Sequence, residues 1–192
     1  MIRKFFKMLW KAVNVPAPQL RARKMSRRNT PWPNGPTTAE LAMIKALAEQ
    51  LGPGNYEGLS AWLVKNIPWT ADKGMRDEWK SIGRTLSEKA GDCEDISTIA
   101  YEVLKAWGLK DVTILCVYAL KKNSGHAVTV FRASKTSEWF FYTNGILRSG
   151  YVEFKYMPNW VAKDSGYKGY RDFRVVGSDR KWLTKEEICS LG

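Results

Sequence analysis

With 192 residues, 44% of them apolar and 26% charged, the chain has enough material to bury one ordinary core. It contains no apolar run long enough to span a bilayer, which excludes a membrane-spanning bundle. The formal charge of +12 is unevenly spread: nine of the 31 Lys and Arg precede residue 37, and no acidic residue precedes Glu40.

The basic excess therefore belongs to an N-terminal arm, residues 1–36. Ile2, Phe5, Phe6, Leu9, Trp10 and Val13 share one side of a helical repeat. Val15 to Pro36 contains five prolines and reads as an extended linker. Lys7 and Lys11 interrupt the apolar stretch and no small-residue cleavage site follows, which argues against a secretory signal. Arg21, Arg23, Lys24, Arg27 and Arg28 are the candidate contacts of this arm. They would meet nucleic acid, neighbouring subunits of an assembly, or an acidic surface.

Residues 37–192 read as one domain. Thr37 and Glu40 have the spacing of a capping box, and Leu41, Ile44, Leu47 and Leu51 follow at helical spacing up to Gly52-Pro53-Gly54. A second short helix is predicted over Tyr56 to Lys65, stopped by Pro68. The strongest helical signal comes next. Ile96, Ile99, Ala100, Val103, Leu104 and Trp107 form one stripe, with Gly108 placed to end the helix and Asp92 placed to cap its start. Burying that stripe stabilises the fold by roughly 1.5–3 kcal/mol per large side chain, so this helix belongs to the core. Cys93 occupies its first turn, where exposed N–H groups and the helix dipole favour a thiolate. That makes Cys93 a candidate nucleophile.

Cys116 lies in an apolar run, Thr113 to Leu120, and reads as a buried strand residue. The only histidine, His126, opens a second strand, Ala127 to Phe131, and a third, Glu138 to Asn144, follows a short polar segment. The two should form a hairpin. If Arg132 faces Glu138 as an opposite-charge pair, Val130 opposes Phe140, Val128 opposes Tyr142 and His126 opposes Asn144. Cys93, His126 and Asn144 would then be nucleophile, general base and orienting group, and a one-residue slip would put Thr143 in the place of Asn144. After Gly150 the chain is rich in aromatic residues, with turn signals at Pro158-Asn159 and Ser165-Gly166. This part reads as a further strand, irregular structure and a short helix starting near Thr184.

Several segments together resemble the bacterial transglutaminase-like cysteine proteinases, a branch of the transglutaminase-core and papain-like group. They are Asn66-Ile67-Pro68-Trp69, Asp77-Glu78-Trp79, Thr85-Leu86, Gly91-Asp92-Cys93-Glu94-Asp95, Gly108-Leu109, Gly125-His126-Ala127-Val128 and Trp139 to Asn144, within residues 58–147. The resemblance implies an α+β class, a papain-like or transglutaminase-core fold with the nucleophile helix packed on an antiparallel sheet. It implies Cys93 as nucleophile, His126 as base, and a peptide or protein as substrate. Where that family commonly has Asp followed by Asn on the third strand, this chain has Thr143-Asn144. Threonine cannot supply a carboxylate, so either Asn144 takes the role or the site is weakened.

Some relatives bind calcium through carboxylates flanking the nucleophile, which makes Asp92 and Glu94 candidate ligands. Acidic side chains also stabilise the first turn of any helix. A single His, widely separated Cys93, Cys116 and Cys189, and no C-x-x-C argue against zinc. No glycine-rich phosphate loop occurs. Three cysteines leave one unpaired in any disulfide scheme, which favours a reduced compartment, and a reducing cytoplasm or a virion is expected over secretion by a signal peptide. Two functions stay open: a cysteine peptidase or amidase working through a thioester without a required cofactor, and a structural or adaptor component of a larger assembly, such as a phage virion, that keeps the fold. Trp79 either lines the substrate cleft or belongs to the core.

Overall fold

The computed structural model describes residues 35–71, 79–120, 125–134, 137–151, 153–177 and 179–191. The arm residues Arg21, Arg23, Lys24, Arg27 and Arg28 lie outside them. Three helices precede Cys93. Helix α1 (Thr38–Leu51) opens on the expected capping box, with Thr37 and Glu40 bonded reciprocally. Helix α2 (Tyr56–Asn66) is capped by Asn55, whose side chain accepts from the Gly58 N–H. Helix α3 (Ile82–Glu88) was not assigned from the sequence, because seven residues with Gly83 in the first turn carry too little periodicity. Its signal was the cap: Ser81 accepts from the Arg84 N–H. Glu40 reaches across to accept from the Gly83 N–H at 2.7 Å, which ties α1 to α3.

Helix α4 (Cys93–Ala106) is the central element, and Ile96, Ile99, Ala100, Val103 and Leu104 are all buried. It packs on one face of a five-stranded antiparallel sheet whose strands are β1 (Val112–Ala119), β2 (Gly125–Phe131), β3 (Trp139–Thr143), β4 (Ile146–Tyr151) and β5 (Tyr170–Val176), in the order β4-β3-β2-β1-β5. All eight residues of β1 are buried, because both faces of the sheet are covered. Ile114, Cys116, Ala127, Phe131 and Tyr142 meet α1, α2 and α4 on one side. Leu115, Val117, Val128, Val130 and Phe141 meet helix α5 (Met157–Asp164) on the other. The α+β class, with the cysteine helix on an antiparallel sheet, is as the sequence implied.

Two expectations are corrected. The segment read as irregular after Gly150 contains α5, because Pro158 sits in its first turn, where a missing N–H costs nothing. The region also supplies β5 and the short helix α6 (Lys185–Cys189), the latter capped by Thr184 as expected. In the β2–β3 hairpin the pairs are Thr129 with Tyr142, Val130 with Phe141 and Phe131 with Phe140, one residue from the charge-pair register. The physical reason is a rival partner: Arg132 bonds Asp111 at 2.7 Å and lies 4.7 Å over the Trp139 ring.

Among the described residues no helix is long and apolar enough to cross a membrane.

Candidate active site

The loop entering α4 is built from the residues that the sequence singled out. Gly91 must lack a side chain, since a Cβ there would stand 2.7 Å from Cβ of Asp95. The Gly91 carbonyl accepts from the Thr70 N–H at 2.8 Å, in a short parallel bridge with Trp69. Asp92 caps the helix, and Asp95 completes a capping box by accepting from the Asp92 N–H. Cys93 follows, half-buried and free of any disulfide.

Strand β2 meets this loop where its ladder to β3 has ended. The pairing with β3 covers only Thr129 to Phe131, so the outer edge of β2 is open to α4 at Ala127. There Ser97 Oγ donates to the Ala127 carbonyl at 3.1 Å, and the Ala127 N–H donates to the Cys93 sulfur. One turn further along, Thr129 Oγ1 donates to the Ser97 carbonyl at 2.6 Å. Helix α4 is therefore strapped to the backbone immediately after His126.

His126 is 1% exposed. Its Nε2 is bonded to Thr143 Oγ1 at 2.8 Å, while its Nδ1 is buried and makes no hydrogen bond. Thr143, and not Asn144, is the imidazole's partner. The observed register places Thr143 diagonally across from His126, and Asn144 is taken up by the β3–β4 turn at φ +48°. Thr143 can donate or accept, so unlike a carboxylate it does not by itself impose one tautomer.

The thiol proton points to Glu94 Oε2, 3.1 Å away. Burial first, then the charges of Glu94 and Asp92, push the Cys93 thiol well above its ordinary range, against the single helpful N–H of Ala127. The helix start was expected to favour a thiolate, but the two carboxylates and burial outweigh it. Burial lowers the His126 imidazole to about 4, with Asp164 acting in the opposite direction. At neutral pH the resting pair is thus a neutral thiol and a neutral imidazole.

Asp92 and Glu94, the candidate ligands, are nearly buried side chains engaged with the helix start and the thiol. Asp95 is committed to Lys80. Among the described residues no three His, Cys, Asp or Glu side chains gather as an ion site requires. Cys116 is a buried strand residue as expected, Cys189 is exposed, and Trp79 packs partly buried against the core.

No protein-family model matches the chain, and no curated protein does. Among solved structures it is similar to Legionella pneumophila LapG, at 20% identity and a TM-score of 0.49 over 79% of this chain and 92% of that one. It is also similar to the EGTA-treated form of that protein, at 19% identity and a TM-score of 0.49 over 77% and 87% of the two chains. For the calcium-bound form the values are 20% identity and a TM-score of 0.44, over 76% and 88%.

Proposed function

We propose that the protein is a cysteine peptidase or amidase of transglutaminase-like type, with Cys93 as nucleophile, His126 as general base and Thr143 as the group that orients the imidazole. One observation carries this reading. The N–H of Ala127, the residue that follows His126, bears on the Cys93 sulfur and lowers the thiol, while the imidazole keeps a buried Nδ1 without a hydrogen bond and has its Nε2 held by Thr143.

The resting thiol is turned to Glu94, so the reaction begins when it swings away and gives its proton to Nδ1. The sulfur then attacks an amide carbonyl, and the Cys93 backbone N–H, one of the first-turn donors without an acceptor inside the helix, receives the oxyanion. His126 returns the proton to the departing amine and leaves a thioester. Water, deprotonated by the same imidazole, releases the acid and restores the thiol.

A second reading has its own observation. Alternation along β2 sends Ala127 and Thr129 toward α4 and sets His126 on the side of Val128, where Asp164 of α5 is the charge it feels. On that reading the fold serves as a scaffold in an assembly.

The test is labelling of the Cys189→Ser chain with a peptidyl vinyl sulfone, read by peptide mass. The enzyme reading expects an adduct on Cys93 whose rate falls about tenfold or more in His126→Ala. Equal rates in the two chains would leave the scaffold reading.

A further inference from the structure

Asp95 is wholly buried, and its oxygens collect donors from two segments of the chain. Oδ1 accepts from the Lys80 N–H at 2.8 Å. Oδ2 lies 3.2 Å from the Lys80 ammonium and accepts from the Asp92 N–H at 3.4 Å. Lys80 is only 8% exposed and also stands 3.6 Å from Glu88 at the end of α3. Burying two charges is expensive, and an apolar pair of similar volume is often as stable or more so. Stability alone is thus a poor account of a lysine at this place.

The geometry points to Lys80 and Asp95 as the positioning residues of the nucleophile. Asp95 fixes the backbone N–H immediately before Cys93 and thereby the direction of the first turn, including the Cys93 N–H. Lys80 holds Asp95 from behind by both its backbone and its ammonium, and cancels the charge of a carboxylate two residues from the sulfur. Without that ammonium Asp95 loses a partner, and with it part of its grip on the Asp92 N–H that sets the turn into Cys93. The inference rests on Cys93 being the attacking group.

The experiment uses the full chain carrying Cys189→Ser and follows iodoacetamide alkylation of Cys93 at neutral pH by peptide mass, beside a melting curve. Lys80→Met is expected to slow alkylation about tenfold, the size of effect the loss of a neighbouring opposite charge commonly has. Lys80→Arg, which keeps the charge, restores the rate. Glu40→Gln, which loosens the tie between α1 and α3 away from Cys93, lowers the melting temperature and leaves the rate alone. An unchanged rate in Lys80→Met, no rescue by Lys80→Arg, or equal slowing by Glu40→Gln would each overturn the assignment. If Lys80→Met does not fold, Lys80→Gln, an uncharged side chain that can still bond Asp95, is read by the same criteria. A chain that responds to His126→Ala and not to Lys80→Met loses only this inference. One that responds to Lys80→Met and not to His126→Ala loses only the imidazole's role.

Discussion

The two halves of the site are built by different physics. The α4 side is local: Gly91, Asp92, Cys93 and Asp95 are chain neighbours, and their bonds follow from helix-start geometry wherever the helix is placed. The β side is set at a distance. His126 meets Thr143 across seventeen positions of sequence, through a hairpin register that Arg132, Asp111 and Trp139 decide from outside the site. Local construction is robust and legible, whereas construction by register is exact only when every competing partner is known.

The largest way to break the contrast is on the α4 side. Asp95→Ala removes the carboxylate that anchors the first turn and leaves the Lys80 ammonium buried beside Glu88 without its aspartate. A loss of about 3 kcal/mol, the lower end for a broken buried pair, is expected in urea unfolding. A loss under about 1 kcal/mol would mean that the pair behaves as a surface ion pair.

The same contrast explains what could be read beforehand. The stripe from Ile96 to Trp107, the cap at Asp92 and the box at Thr37–Glu40 were legible because helix periodicity and capping are properties of short segments. The antiparallel hairpin around His126 was legible as an element, but not its register. A charge pair between Arg132 and Glu138 was a reasonable local choice, and it lost to an aspartate twenty-one positions away. The Cys93 environment was half legible. The sequence shows the carboxylates, while their burial, which reverses the expected effect of the helix dipole on the thiol, is a tertiary fact. Helix α5 was hidden by Pro158, since a proline at a helix start and one in a turn look alike without the packed face beneath.

On the β side, the buried imidazole makes stability depend on pH with a definite sign. His126 titrates near 6.5 when unfolded and at about 4 when folded, so between those values the unfolded state binds the extra proton. The protein therefore has its full His126 contribution above pH 6.5, loses it as pH falls toward 4, and loses no more below that. The total is roughly 3 kcal/mol. Urea unfolding from pH 7 to 4 should show this slope in the wild type and a shallower one in His126→Gln; identical slopes would place the imidazole in water-like surroundings.

The smallest effects separate the two adjacent residues that register exchanged. Thr143→Val deletes the bond to Nε2 and is expected to cost about 1 kcal/mol, with slower vinyl sulfone labelling of Cys93 as the imidazole loses its orientation. Asn144→Gly removes an amide from a position at φ +48°, a conformation that glycine adopts freely. Its stability should stay within about 0.5 kcal/mol of the wild type, and its labelling rate should not change. If Asn144→Gly slowed labelling and Thr143→Val did not, the orienting role would return to Asn144. The hairpin would then have to slip by one residue in solution, turning every side chain of β3 to the opposite face and taking Phe141 and Tyr142 out of the clusters that now bury them.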